Sequence, residues 1–281
     1  MGPIIMDGKA LAAKVKREVR AEAEGLPRRP GLAVIIVGDD PASRVYVNSK
    51  RKDCEDCGFL SEEYALPAGT KQEELIALIE KLNDREEIDG ILCQLPLPKG
   101  LDEEAVLMAI SPSKDVDGFH PMNMGALLVG KEGFLPCTPY GIMEMLHEYD
   151  IDPKGKRCVV IGRSNIVGKP MALLLLQEHG TVTICHSRTQ DLAAVCREAD
   201  ILVAAVGKVD MVTADMVKPG AVVVDVAMNR NAAGKLCGDM DYPAVKEIAS
   251  AITPVPGGVG PMTRAMLMKN TLIAAKSHLG K

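Results

Sequence analysis

The 281-residue chain contains no tryptophan and few other aromatic residues, so aliphatic side chains must form its core. Aromatic residues make up 3% of the sequence and hydrophobic residues 47%. Such a composition suits the buried strands of a parallel sheet. The sequence also lacks an apolar run long enough to cross a bilayer. We therefore expect a soluble α/β protein, long enough to form two domains.

An excess of basic residues is missing as well. The 33 lysines and arginines are outnumbered by 38 acidic residues, which gives a formal net charge of −5. This balance argues against a dedicated nucleic-acid-binding protein and leaves small anionic ligands open. No signal-peptide hydrophobic region follows the first residues, and we expect a cytoplasmic protein without membrane association.

Cysteine is present, but not in the arrangement of a zinc site. Of the eight cysteines, Cys54 and Cys57 have the spacing of a ligand pair, and no second pair or histidine cluster completes a site. The other cysteines fall mostly within apolar segments, where a thiol behaves as a small hydrophobic group. We predict buried thiols and no metal.

The segment Arg157–Leu176 predicts a strand, a tight turn and a helix. A β-branched run ends at Gly162, and helix-forming residues follow from Ile166 onward. The turn from Gly162 to Gly168 resembles a dinucleotide-binding fingerprint, with Ser164 at the position of the second glycine. It is either an ordinary strand-to-helix turn or a phosphate-binding one, since a helix N-terminus attracts anions.

The residues after the next predicted strand indicate the type of cofactor. An NAD site typically has an acidic residue there, whereas this chain has Cys185-His186-Ser187-Arg188-Thr189. Together with Arg163 in the turn, these hydroxyl and cationic groups favour the 2′-phosphate of NADP. The alternative is a solvated polar turn.

Strands recur after residue 156 in the rhythm of a doubly wound parallel sheet. They are predicted at residues 158–161, 181–185, 201–206, 221–226 and 251–255. The following segment, 254–263, is too rich in proline and glycine for a core element. It is expected to bring bare backbone close to a ligand.

The N-terminal half predicts helices at residues 8–24 and 41–57, and Tyr46 and Lys50 share one face of the second. Gln94 ends a predicted strand at 88–95, at the edge where parallel sheets bind ligands. The loop 113–121 contains two carboxylates, which either belong to a simple turn or bind a nitrogen heterocycle. Thr70 and Thr138 are predicted N-caps of helices.

Together these stretches resemble the bifunctional methylenetetrahydrofolate dehydrogenase/methenyltetrahydrofolate cyclohydrolase family over nearly the whole chain. The order and spacing of the motifs make the resemblance specific. The motifs are Tyr46-Val-Asn-Ser-Lys50, Gln94-Leu-Pro-Leu-Pro98, Lys114-Asp-Val-Asp-Gly118, Thr138-Pro139, Gly162-Arg-Ser-Asn-Ile-Val-Gly168, Cys185-His-Ser-Arg-Thr189 and Pro256-Gly-Gly-Val-Gly-Pro-Met-Thr263.

The resemblance implies two α/β domains with a cleft between them. The catalytic, folate-binding domain would comprise residues 1–137 plus 262–281, and a Rossmann-like NADP-binding domain with a doubly wound parallel sheet would comprise 138–261. The implied activity is oxidation of 5,10-methylenetetrahydrofolate with NADP, followed by hydrolysis of the methenyl product to 10-formyltetrahydrofolate. A homodimer is implied too.

The resemblance also assigns residues. Lys50 is the central catalytic group, Tyr46 orients the folate, Gln94 tunes Lys50, and Asp117 binds the pterin ring. The implied substrate-binding residues are Tyr46, Lys50, Cys93, Gln94, Leu95, Asp117, Pro256, Gly257, Gly258, Val259 and Gly260. The implied cofactor-binding residues are Gly162, Arg163, Ser164, Val167, Gly168, Ser187, Arg188 and Met228.

Two positions depart from the family pattern. Ala227 stands where glycine is usual and Met240 where valine is usual. If the backbone at residue 227 required a positive φ, alanine would strain it and shift the packing of the cofactor. Two alternatives remain at this point: another NADP-dependent two-domain dehydrogenase, or a non-catalytic nucleotide-binding protein.

Overall fold

The computed structural model describes residues 2–280. The α-helices in that range are α1 (Gly8–Glu24), α2 (Pro41–Cys57), α3 (Gln72–Asn83), α4 (Glu103–Ala109), α5 (Pro121–Val129), α6 (Cys137–Glu148), α7 (Gly168–Gln177), α8 (Leu192–Arg197), α9 (Tyr242–Lys246) and α10 (Val259–His278). The strands are β1 (Ile4–Ile5), β2 (Gly31–Val37), β3 (Leu60–Leu66), β4 (Gly90–Cys93), β5 (Arg157–Ile161), β6 (Thr181–Cys185), β7 (Ile201–Ala204), β8 (Val222–Asp225), β9 (Asn229–Arg230), β10 (Leu236–Cys237) and β11 (Ala251–Ile252).

The described chain divides into two compact units, which we name after their main sheets. The three-stranded unit comprises Ala13–Cys137 and the residues from Arg264 onward. The six-stranded unit comprises the residues up to Ala12 together with Thr138–Thr263.

The three-stranded unit is built around β2. This strand lies between β3 and β4, pairs in parallel with both, and is buried along its whole length, as its unbroken apolar sequence predicts. Helix α3 contributes Leu75, Ile79 and Leu82 to the core beside this sheet. Helix α10 packs against α2, where the sulfur atoms of Met268 and Cys54 are 3.8 Å apart.

Helix α2, which contains Tyr46 and Lys50, begins and ends as the sequence predicts. The carboxylate of Asp40 accepts a hydrogen bond from the N–H of Ser43 at 2.7 Å, and Pro41 occupies the first turn. The helix ends at Gly58, whose φ of 73° is a left-handed conformation that glycine adopts readily.

The predicted threonine caps are wrong at both positions. Helix α3 begins after Lys71, and the hydroxyl of Thr70 instead donates to the carbonyl of Pro67 at 2.7 Å. Helix α6 already begins at Cys137, so Thr138 lies inside its first turn. The Thr138 hydroxyl is hydrogen-bonded to that of Thr263 at 2.9 Å.

The main sheet of the six-stranded unit has the order β1-β11-β8-β7-β5-β6, with every neighbouring pair parallel. Starting from β5, the strands follow the order 2-1-3-4-5, one of the two common doubly wound arrangements. The direction of winding therefore changes between β5 and β7. Ligands of such sheets bind at this switch point, beyond the carboxyl ends of the strands.

The N-terminal segment differs from the predicted domain division. The resemblance predicts residues 1–137 in one domain, but Ile4 of β1 pairs with Ala251 of β11, so the described residues up to Ala12 group with the six-stranded unit. Two residues of strand give too weak a sequence pattern to reveal this pairing. The terminal residues 1 and 281 of the predicted bounds lie outside the described residues.

Other differences concern short elements. Helix α5 was not predicted, because its sequence follows an Asp-Gly turn and contains Pro121 and Gly125. Strands β7 and β11 end earlier than predicted, at Ala204 and Ile252. The cysteines behave as expected: Cys237 is partly exposed and the other seven of the eight, all free, are buried. Within residues 2–280, no helix combines the length and hydropathy that a membrane span requires.

Candidate active site

Lys50 is held by Gln94 at the end of a strand. The Nζ atom of Lys50 donates a hydrogen bond to Oε1 of Gln94 at 2.9 Å. Gln94 follows β4 directly and is fixed twice: its backbone N–H donates to Ile35, and its Nε2 donates to the carbonyl of Leu95 at 2.7 Å. Because the side-chain nitrogen of Gln94 is hydrogen-bonded to Leu95, the side-chain oxygen of Gln94 faces Lys50.

The ammonium of Lys50 and the carboxylate of Asp117 are electrostatically coupled. Burial lowers the pKa of Lys50, while the negative charge of Asp117 acts in the opposite direction. Burial likewise raises the pKa of Asp117, and Lys50 partly offsets that effect. Arg264 adds a positive charge that lowers the pKa of Lys50 further. The arrangement increases the neutral fraction of both groups relative to exposed side chains.

The two acidic residues of the predicted loop have different surroundings. Asp115 is buried, and its carboxylate accepts hydrogen bonds from the N–H groups of Phe119 and His120 and from Nδ2 of Asn123, at 3.2, 2.8 and 2.8 Å. Burial raises the pKa of Asp115 to about 6. Asp115 therefore closes the loop, which leaves Asp117 as the carboxylate that interacts with Lys50.

The other predicted substrate-binding residues of this unit lie on α2 or next to Gln94 in the chain. Tyr46 lies one turn before Lys50 on α2 and is 39% exposed. Cys93 is buried beside Gln94, and burial raises the pKa of its thiol to about 12. Such a thiol is a poor nucleophile, so Cys93 contributes packing at this position. Leu95 is partly exposed.

In the six-stranded unit, the turn after β5 requires its two glycines. Gly162 has a φ of 130°, and a Cβ atom there would collide with the carbonyl oxygen of Ala205. A Cβ atom at Gly168 would collide with the carbonyl oxygen of Gly162. Ser164 fits between them because its Oγ accepts hydrogen bonds from the N–H groups of Val167 and Gly168, at 3.2 and 3.3 Å.

The polar segment after β6 lies next to this turn. Ile161 and Cys185 are register partners, and the N–H of Gly162 donates to the carbonyl of Cys185 at 2.9 Å. The segment is closed by a hydrogen bond of 2.8 Å from the N–H of His186 to the hydroxyl of Thr189. The side chains of Arg163, Ser187 and Arg188 are exposed at this edge of the sheet.

Sequence reasoning missed Asp239, which organises the loop after β7. Its fully buried carboxylate accepts hydrogen bonds from the N–H groups of Val206, Gly207 and Lys208, at 2.6, 3.1 and 2.7 Å. Nδ2 of Asn229 donates to it as well, at 2.9 Å. More than thirty residues separate Asp239 from this loop, so no local pattern in the sequence reveals the contact.

A groove of this unit is lined by Met228 and by the segment rich in proline and glycine. Residues 225–228 and 254–260 line it together. A Cβ atom at Gly260 would lie 3.5 Å from the sulfur of Met228. Gly257 has a φ of 108°, and its carbonyl accepts a hydrogen bond from the N–H of Lys9 at 2.9 Å. The backbone between Pro256 and Gly260 thus lines this groove, and its close approach to a ligand stays a prediction.

The strain considered for Ala227 does not arise. Its φ is not positive, so alanine is compatible with the backbone at this position. The buried carboxylate of Asp225 accepts hydrogen bonds from three backbone N–H groups, those of Ala227, Asp239 and Met240. Met240 is itself buried in the core of the unit.

The predicted substrate-binding residues thus fall in two groups. Lys50, Gln94 and Asp117 come together in the three-stranded unit, with Tyr46 on the same helix as Lys50. Residues 256–260 belong to the six-stranded unit, together with the predicted cofactor-binding residues. Among the residues described, no three or more His, Cys, Asp or Glu side chains converge as a metal site would require.

A doubly wound parallel sheet with a glycine turn at its switch point defines a nucleotide-binding α/β protein. Comparison with known families makes this class specific. Residues 6–117 match the catalytic domain, and residues 136–279 the NAD(P)-binding domain, of tetrahydrofolate dehydrogenase/cyclohydrolase. The chain belongs to the tetrahydrofolate dehydrogenase/cyclohydrolase family.

Individual relatives are similar over nearly their full length. The bifunctional protein FolD of Acetivibrio thermocellus is 61% identical over 275 residues, which cover 97% of this chain and 96% of that protein. The crystal structure of the FolD enzyme from Campylobacter jejuni is 51% identical, with a TM-score of 0.96 over 97% of this chain and 98% of that one. The Trypanosoma brucei FolD, solved with NADP and an inhibitor, is 38% identical, with a TM-score of 0.95 and full coverage of both chains.

These findings confirm the family, the two-domain α/β fold and the bifunctional activity predicted from the sequence. They leave no support for a non-catalytic nucleotide-binding protein or for a dehydrogenase of another family. The roles of individual site residues stay predictions, which the geometry described above allows to be stated more sharply.

Proposed function

We propose that this chain oxidises 5,10-methylenetetrahydrofolate with NADP and hydrolyses the methenyl product to 10-formyltetrahydrofolate, with Lys50, Gln94 and Asp117 at the reacting centre. The observation that carries the proposal is the hydrogen bond between Lys50 and Gln94 beside the coupled carboxylate of Asp117. Such a cluster of a lysine with a lowered pKa, an orienting amide and a carboxylate is typical of a catalytic site.

The six-stranded unit fits NADP. The glycine turn before α7 lets a phosphate approach the backbone, and the N-terminus of α7 favours negative charge. Arg163, Ser187 and Arg188 offer exposed groups for a 2′-phosphate. When bound, NADP accepts the hydride. The residues of the chain contribute by positioning, because the carbon that becomes cationic needs no strong base.

The hydrolytic step requires proton transfer, which we assign to Lys50. Water adds to the cationic methenyl carbon, and the ring then opens at one nitrogen while the hydroxyl of the adduct releases its proton to solvent and becomes the formyl oxygen. With its lowered pKa, Lys50 can take a proton from the attacking water and return one to the leaving nitrogen. Gln94 fixes the direction of the lysine, Asp117 hydrogen-bonds the pterin ring, and Tyr46 packs on the folate.

Formation of NADPH tests the dehydrogenase activity and the cofactor together. We expect the purified protein to form NADPH from methylenetetrahydrofolate and NADP, and to be much slower with NAD. In Arg188→Ala, the KM for NADP should rise while the rate with NAD stays unchanged, because NAD lacks the phosphate. Absence of NADPH would refute the dehydrogenase activity, and equal rates with both cofactors would refute the NADP assignment.

Replacing Lys50 tests the hydrolytic mechanism. We expect Lys50→Met to lose cyclohydrolase activity by at least about a hundredfold, the contribution typical of a general acid–base group. Lys52→Met removes an exposed lysine of the same helix and should retain full activity. Hydrolysis is followed by the loss of methenyltetrahydrofolate absorbance, with circular dichroism to confirm folding. A folded Lys50→Met variant with full hydrolysis would exclude this role.

We further propose that the chain forms a homodimer through β6. This strand pairs with β5 on one side and ends the sheet on the other, so its outer edge offers unpaired backbone groups. Ile184 of β6 is 41% exposed and Leu176 of α7 is 57% exposed, which adds apolar surface. Light scattering should give about twice the 30.0 kDa chain mass, and Ile184→Lys should reduce it to that of a monomer. A wild-type monomer would contradict the proposal.

We also propose a cytoplasmic location. The eight cysteines are free and mostly buried, and free thiols persist in a reducing compartment.

A further inference from the structure

Asn270 is a buried polar residue of α10 that hydrogen-bonds to the loop containing Asp117. Its side chain is 1% exposed. Nδ2 donates hydrogen bonds to the backbone carbonyls of Val116 and Leu135, at 2.8 and 3.0 Å. Since both partners are acceptors, only the NH₂ group of the amide can face them.

The two carbonyls belong to segments that enclose Asp117. Val116 directly precedes Asp117, and Leu135 lies against Gly118, where a Cβ atom would be 2.6 Å from the carbonyl carbon of Leu135. Cys137 adds two further contacts: its N–H donates to the carbonyl of Asp117 at 3.4 Å, and its thiol to that of Val116 at 3.3 Å. Asn270 therefore links the segment of Val116 and Asp117 to the segment of Leu135 and Cys137.

The same helix is also attached to the element that contains Lys50. Nη1 of Arg264 donates to the carboxylate of Asp53 at 2.9 Å. Asp53 lies on α2, three residues after Lys50, and is 2% exposed. This ion pair is half-buried, since the Arg264 side chain is 32% exposed, and the same carboxylate also pairs with Lys16 at 2.7 Å. One helix thus contacts both the element of Lys50 and the loop of Asp117.

We propose that Asn270 is a positioning residue, which fixes the backbone at Val116 so that the carboxylate of Asp117 faces Lys50 and the pterin ring. The proposal rests on the role assigned above to Asp117. Without the amide, two buried carbonyls lose a donor, and the loop relaxes toward other hydrogen-bond partners. The carboxylate of Asp117 is then no longer oriented toward the pterin ring of the folate, whereas the binding of NADP by the other unit is unaffected.

The first test is a comparison of Michaelis constants. In Asn270→Ala, the KM for methylenetetrahydrofolate should rise about tenfold, with the KM for NADP unchanged. Thr271→Val is the matched control, because this neighbour is equally buried and its hydroxyl donates to Leu267 within α10 at 2.8 Å. Its Michaelis constants should stay at the wild-type values. If Asn270→Ala does not fold, Asn270→Ser, which keeps a small donor, is tested in the same way.

The second test combines Asn270→Ala with Asp117→Asn in a double-mutant cycle. If Asn270 acts through Asp117, adding Asn270→Ala to Asp117→Asn should change the KM for folate by less than about twofold relative to Asp117→Asn alone. If the double variant instead shows the product of the two single-variant changes in the KM for folate, the proposal is overturned. An equal rise of the KM for NADP in Asn270→Ala would overturn it as well. An effect of Asp117→Asn without any effect at Asn270 refutes this inference alone. No effect of Asp117→Asn refutes the role of Asp117 and, with it, the inference.

Discussion

The partial burial of the Lys50 amine, together with the electrostatic effect of the Asp117 carboxylate, is the constraint on which the site of the three-stranded unit depends. Burial disfavours the charged amine, and Asp117 restores part of its stability. Burial is the larger of the two effects, so the pKa of Lys50 is lowered overall. Gln94 fixes the position of the amine, because its amide oxygen accepts a hydrogen bond from Lys50.

The six-stranded unit shapes its ligand-binding edge mainly with backbone atoms. Gly162 and Gly168 allow contacts that no side chain would tolerate, and Asp239 holds three successive N–H groups of the loop after β7. A buried carboxylate with several N–H donors is well satisfied, so the loop is ordered in advance. Such preorganisation reduces the entropy lost when a ligand binds.

Local signals in the sequence predicted much of this architecture. Asp40 and Gly58 mark the ends of α2, and apolar runs mark β2 and β5, because caps and periodicity act over a few residues. The contacts of Asp239 and Asn270 were not predictable, since each joins positions far apart in the chain. The pairing of β1 with β11 was missed for the same reason. The resemblance of the sequence to a known family pointed to Lys50 and Asp117, whose roles stay predictions, but the buried groups around them became visible only in the fold.

Titration of Lys50 by NMR, in protein with isotopically labelled lysines assigned through Lys50→Met, tests the proposed site most directly. The pKa of Lys50 should lie below the ordinary value of 10.5. In Asp117→Asn it should fall further, because a negative charge that favours the ammonium has been removed. A Lys50 pKa at or above 10.5, or a rise in Asp117→Asn, would contradict the account.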